Sequence, residues 1–134
     1  MTQNNQFKLA TDEPKKQFPT GERFSLADSV TYADGATVSK IILRNDKGNL
    51  TLFAFDKGEM LSEHTAPFDA IVQILDGTAE VVIDKIPHLL TAGETIIMPA
   101  NVPHALTAVE KFKMLLIMIK SPLNPPKGDL KERL

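Results

Sequence analysis

The sequence predicts an all-β fold, either a barrel or a sandwich, in a single domain. From Ala36 onward, short runs rich in Val, Ile, Leu, Phe and Thr alternate with turn residues. The runs recur about every 8–12 residues, a spacing typical of sandwiches and barrels. No stretch shows 3.6-residue periodicity over a helical length. The 134 residues suit one core, since two domains would each be too small.

The predicted strands follow one another with a turn between neighbours. They are Val38–Leu43, Leu50–Asp56, Phe68–Leu75, Ala79–Ile83, His88–Leu90, Thr95–Met98, Ala105–Ala108 and Phe112–Ile119. The Asp76-Gly77 pair predicts a hairpin. Leu50–Asp56 and Phe112–Ile119 are apolar on both faces, which indicates strands covered on both sides. We expect one face to fill a barrel and an N-terminal arm or a second subunit to cover the other. A homodimer is predicted.

The texture of the sequence divides the chain into three parts. Residues 1–35 predict an N-terminal arm, in which Phe24–Tyr32 forms at most a short helical turn. Residues 36–119 predict the barrel. Residues 120–134 are rich in proline and predict a C-terminal tail that cannot continue a sheet.

Composition excludes several classes of function. The net charge is -2 and no block of like charge occurs, so nothing favours binding to nucleic acid or to an anionic membrane. The absence of cysteine excludes disulfides, thiolate catalysis and Cys-ligated zinc. No apolar run approaches the roughly 20 residues of a membrane helix. The N-terminus has no apolar signal core, so we expect a cytoplasmic protein.

Two segments contain the residues that can carry chemistry. One begins at Gly58 and contains His64, and the other begins at Gly93 and contains His104. Each predicts a strand that opens after a glycine and carries one histidine. The two segments are about 40 residues apart, so they can meet across a barrel.

These segments resemble the two sequence motifs of the cupin superfamily. The positions that match at the family spacing are Gly58, His64, Gly77, Gly93, Pro99 and His104. The resemblance covers about residues 36–119 and suggests a small single-domain protein of the cupin 2 type. It implies a double-stranded β-helix, the cupin jelly-roll barrel, which is often dimeric.

The chain departs from the family pattern at the metal ligands. Ala66 stands where the first motif has its second histidine, and Ala70 stands where it has glutamate. Of the four family ligands, only His64 and His104 are present. Two imidazoles make a weak site, because a divalent metal needs three or four protein ligands. The resemblance therefore implies at most a weakly held Zn, Ni or Cu ion.

Strand alternation places the other candidate pocket residues. Side chains of the same parity as His64 should face the barrel with it. This alternation places Ala66 and Ala70 in the pocket. Met60 and Met98 are expected at the mouth of the cavity, because each lies on a strand that leads into a site histidine. The acidic or amide side chains nearby have the opposite parity, so they could reach a metal only through a bulge. They are Glu63, Asp69 and Gln73.

The sequence leaves two functions open, beside a third possibility, a degenerate and purely structural dimer. The first is a protein that binds a small molecule in the barrel, favoured because the two alanines make the pocket more apolar. The second is a small-molecule enzyme of isomerase or acid–base type, with or without a metal, in which His64 and His104 are catalytic because histidine titrates near neutrality. Either function requires the two rings to lie within about 5 Å of each other or of a shared ligand.

Overall fold

The computed structural model describes residues 18–120, and they form an all-β structure with a single short 3-10 turn. The turn is Ala27–Ser29, and the strands are β1 (Thr37–Asn45), β2 (Gly48–Phe55), β3 (Met60–His64), β4 (Ala70–Ile83), β5 (Ile86–Thr91), β6 (Thr95–Met98) and β7 (His104–Ile119). Residues 1–17 of the expected N-terminal arm and residues 121–134 of the expected C-terminal tail lie outside the described residues. No helix within residues 18–120 is long and apolar enough to cross a membrane.

The two long strands β4 and β7 organise the sheet. The strand order is β1-β2-β7-β4-β5, with β3 paired to β7 and β6 paired to β4. All pairings are antiparallel. The first half of β7 pairs with β3 and its second half with β2, while β4 pairs first with β6 and then with β5. This is the double-stranded β-helix that the cupin resemblance implies.

Asp76-Gly77 does not form the predicted hairpin, because β4 continues through it. The register with β7 shifts on both sides of the pair, which marks an irregularity inside one strand. Gly77 has φ +82, and a Cβ there would lie 1.8 Å from the carbonyl oxygen of Lys111. The glycine is therefore required by close backbone packing rather than by a chain reversal.

The hairpin forms instead at Asp84-Lys85, between β4 and β5. Both residues have positive φ, 50 and 72, as a two-residue type I′ turn requires. The predicted break at Val109–Lys111 is also absent, since β7 runs through it. β3 is the strand that the sequence predicts after Gly58, and it ends at His64.

The inner face of the sheet forms the main core. Phe55 and Phe112 stack with their ring centroids 4.6 Å apart, and both are fully buried. Val72, Ile74 and other aliphatic side chains pack around them. These residues hold β2, β4 and β7 together on the side of the sheet where the candidate site lies.

Part of the N-terminal arm covers the outer face of the same strands. Val30 is 1% exposed and packs against Leu52 and Leu115. The Tyr32 hydroxyl donates a hydrogen bond of 2.5 Å to Asp76, and the Nζ of Lys113 lies 5.1 Å from the centre of the Tyr32 ring. The chain therefore supplies the second cover itself, which is one of the two expected alternatives. The homodimer stays a prediction.

Candidate functional site

His64 and His104 are cross-strand neighbours at the ends of β3 and β7 where the two strands pair. Their ring centroids lie 4.4 Å apart, and the ring planes are inclined by 69°. This separation is within the distance expected from the sequence. Two segments about 40 residues apart in the chain thus bring one histidine each to the same place.

A backbone carbonyl fixes each ring through Nδ1. The Nδ1 atom of His64 lies 2.7 Å from the oxygen of Ser62, and that of His104 lies 3.0 Å from the oxygen of Val102. Because a carbonyl oxygen can only accept, we assign the proton of each neutral ring to Nδ1. Nε2 is then the nitrogen with a free lone pair, able to accept a hydrogen bond or to bind a metal.

The two histidines differ in burial. His104 is 4% exposed, whereas the side chain of His64 is exposed. Burial lowers the pKa of His104, the bond to the Val102 carbonyl opposes this in part, and the adjacent His64 ring lowers the pKa further. His104 is therefore neutral at neutral pH.

The rings border a small cavity inside the barrel. Its volume is about 50 Å³, and its lining is apolar apart from the two histidines. The lining residues are Leu61, His64, Ala66, Ala70, Met98, His104, Leu106, Met114, Leu116 and Met118. Sites for organic ligands usually measure about 300–1,000 Å³, and one water takes up roughly 30 Å³ of the liquid. Only a few atoms fit here without rearrangement.

Ala66, Ala70 and Met98 line this cavity, as the sequence places them, but Met60 does not. Met60 is 58% exposed. The register of β3 against β7 shifts between Leu61 and His64, which inserts an extra residue and brings both of these side chains to the same side. The prediction for Met60 is wrong for this reason, and Leu61 takes its place in the lining. No glycine, proline, asparagine or aspartate in β3 marks the bulge.

The polar side chains near the pair are engaged elsewhere. Glu63 binds the Nζ of Lys85 with both carboxylate oxygens, at 2.9 and 3.0 Å, on the surface. Asp69 accepts a hydrogen bond of 2.8 Å from the backbone N–H of Ala100. Within residues 18–120, no group of three or more His, Cys, Asp or Glu residues is placed to hold a metal. The divalent ion that the cupin resemblance implies therefore does not fit the residues present.

Two loops are tied together at the cavity rim. The backbone N–H of Asn101 donates a hydrogen bond of 2.7 Å to the carbonyl oxygen of Ala66. Asn101 has φ 64, a left-handed conformation that asparagine tolerates better than most residues. With the bond from Ala100 to Asp69, this contact joins the loop before β4 to the loop before His104. Asp69 thus stabilises the loop before His104. The Nδ1 atoms of the two site histidines contact backbone carbonyls instead.

A larger hollow, of about 300 Å³, lies on the outside of the sheet. Its lining residues are Phe18, Pro19, Phe24, Asp28, Ser29 and Lys40. Within the described part of the chain its lining has no histidine, and Asp28 and Lys40 alone offer no arrangement for catalysis. Size therefore does not identify the site in this molecule, and the histidine pair is the better candidate.

Comparison with known proteins identifies the family. Residues 51–120 match the family model of the cupin domain, which is more than half of the chain. A Streptococcus pyogenes protein of unknown function is 36% identical, with a TM-score of 0.75, over 78% of this chain and 92% of that one. A cupin superfamily protein from Desulfitobacterium hafniense is 27% identical, with a TM-score of 0.75, over 81% of this chain and 100% of its own.

One curated relative is similar to the barrel. Protein SchB of Streptomyces halstedii is 32% identical over 69 residues, which are 51% of this chain. The chain spans 50% of the length of that relative.

Proposed function

Because the chain belongs to the cupin family, we propose that it is a binding protein that holds a small ligand in its barrel between His64 and His104. One observation carries the proposal: two histidines meet at an otherwise apolar cavity, and the Nδ1 of each is already bonded. The Nε2 atoms are the polar groups left for a ligand. An apolar pocket with a few oriented polar groups is the usual form of a small-molecule site.

The chemistry of the lining limits the ligand. A neutral Nε2 accepts hydrogen bonds, so the ligand must present a donor such as a hydroxyl group. Among residues 18–120 the lining has no Lys or Arg, so none of these residues compensates the burial of an anion. Met98, Met114 and Met118 have flexible side chains that can widen the cavity around a ligand end of a few atoms.

The test is a titration of the purified protein with neutral alcohols from methanol to butanol and with phenol. We expect the melting temperature to rise with concentration for the best-fitting compound, because binding to the folded state alone stabilises it. His64→Ala and His104→Gln should each remove the shift. His88→Ala is the matched control, since His88 lies on β5 and does not line the cavity. Shifts that persist in both site variants would contradict the proposal.

A second candidate is an acid–base enzyme, and the unequal burial of the pair favours it. His104 is buried and neutral, whereas His64 is exposed and can exchange protons with water. A base beside a proton relay suits isomerisation next to a carbonyl group. Exchange of the α-protons of small hydroxyketones into deuterated water, followed by proton NMR, tests this. Exchange that survives in His104→Gln rejects the second candidate.

A further inference from the structure

We propose that the cavity is a binding site for Cu(I), with Nε2 of His64 and His104 and the thioether sulfurs of Met98 and Met118 as ligands. The inference rests on the proposed function only in taking the same cavity to be the binding site. It goes beyond that function, because an ion on the two Nε2 atoms takes the place of a ligand that donates hydrogen bonds to them. It differs from the divalent site of the family motif in both ligand type and charge.

The methionines flank the position that has lost its carboxylate. Ala70 on β4 pairs with Met98 on β6 and with Met118 on β7, so the three form one row across three strands. All three line the cavity together with both histidines. Cross-strand neighbours have Cβ atoms roughly 4.5–5.5 Å apart. The two methionines therefore line the cavity on the strands that flank Ala70.

The donor set selects a soft, singly charged ion. Thioethers favour Cu(I), and imidazole binds copper well, whereas carboxylates and water suit harder ions. A divalent ion here would have no anionic ligand among the lining residues to balance its charge. One positive charge costs less to bury than two. The replacement of glutamate by alanine thus weakens a divalent site and leaves a monovalent one possible.

The size of the cavity also favours an ion. Its volume of about 50 Å³ is well below that of an organic-ligand site but is ample for one metal ion. Met98 is 2% exposed and His104 is 4% exposed, so these ligands are shielded from water. Ring centroids 4.4 Å apart are compatible with one ion about 2 Å from each Nε2.

Core packing is the alternative explanation for these methionines, since methionine fills irregular gaps. Their distribution favours a site. Residues 18–120 contain Met60, Met98, Met114 and Met118, and all but Met60 line this one cavity. A substitution that keeps the volume but removes the sulfur separates packing from ligation.

The experiment is an anaerobic titration of the full chain with Cu(I), kept reduced by ascorbate and competed with bicinchoninate. We expect one ion per chain. Met98→Leu and Met118→Leu should each weaken Cu(I) binding more than roughly tenfold, and His64→Ala should abolish it. Leucine conserves volume, so the variants should stay folded, as circular dichroism will show. Met60→Leu is the matched control, because that exposed methionine lies outside the cavity.

A second measurement locates the ion. With carbon-13 in the methionine methyl groups, Cu(I) should shift the NMR signals of Met98 and Met118 and leave that of Met60 in place. Unchanged affinity in the Met98→Leu/Met118→Leu double variant, or a shift confined to Met60, overturns the inference. If Cu(I) does not bind but an alcohol or phenol does, the copper site fails and the proposed function stands. If neither binds, both fail.

Discussion

His64 and His104 are the same residue type with the same local hydrogen bond, but the molecule supports them differently. In each, Nδ1 meets a carbonyl oxygen two residues earlier in the chain. His104 begins β7, a strand of 16 residues that pairs with β4 as well as β3. His64 ends β3, which has 5 residues and a bulge.

The difference indicates a site with one fixed and one adaptable half. His104 is buried in the sheet that forms the core, so its ring position follows from the fold. His64 is exposed, and a surface ion pair between Glu63 and Lys85 holds the residue before it. We expect that a ligand that needs a different separation of the rings is accommodated by movement of His64 and β3.

The largest expected effect comes from the glycine packed against β7. Gly77→Ala should destabilise the fold by more than about 4 kcal/mol, because its Cβ would lie 1.8 Å from the Lys111 oxygen and 2.7 Å from the Cα of Phe112. Gly58, just before β3, has φ +88, but no atom lies within 4 Å of the position that a Cβ would take there. Gly58→Ala should cost only about 1–2 kcal/mol. Urea unfolding measures the stability of both variants. Equal losses of stability would contradict the idea that the β7 side of the site is packed more tightly than the β3 side.

Restoring the family ligands tests the position of both alanines relative to the pair. Ala66→His with Ala70→Glu should raise the affinity for Zn(II) by at least about a hundredfold, because it adds a third imidazole and an anionic ligand. Competition with a chromogenic chelator measures the gain. No gain would show that residues 66 and 70 do not share a metal position with His64 and His104.

The buried ring should make stability depend on pH. The pKa of His104 is lower in the folded than in the unfolded protein, so the unfolded state binds more protons below about pH 6.5. Stability from this group is complete above that pH and is lost as the pH falls toward the folded-state pKa. The ordinary pKa of histidine is about 6.5. When the pH falls from about 7.5 to about 5.5, across this value, the wild type should lose more stability than His104→Gln. A ring signal of His104 that titrates at or above that value in NMR would contradict this.

The smallest effect is expected from the ion pair beside His64. Lys85→Met should cost less than about 1 kcal/mol, since exposed pairs contribute little. The Lys57–Glu110 pair, at 3.6 Å, provides the control through Lys57→Met. If Lys85→Met broadens the NMR signal of the His64 ring and Lys57→Met does not, the pair positions the ring. Equal spectra would assign that role to the bulge alone.

The repeating strand pattern of the sequence predicts the barrel, and the resemblance to the two cupin motifs implies that the histidines meet in it. Strand alternation and motif spacing bring His64, His104, Ala66 and Ala70 to the cavity, where the structure also has them. The prediction that Met60 lines the pocket is wrong because one inserted residue reverses the alternation of side chains. No glycine or proline in β3 marks that insertion. The prediction of a hairpin at Asp76-Gly77 is wrong because glycine permits both a tight turn and close packing of strands. Only the neighbouring strand β7 shows which of the two applies.

The segment that covers the outer face sets a limit on how this protein can be divided. The family match begins at residue 51, yet Val30 and Tyr32 pack on the sheet far upstream of that point. A fragment cut to the family boundary would lose β1 as well and leave Leu52 and Leu115 facing water. Such a fragment should self-associate or be degraded, so the unit that folds cooperatively is longer than the segment that matches the family model.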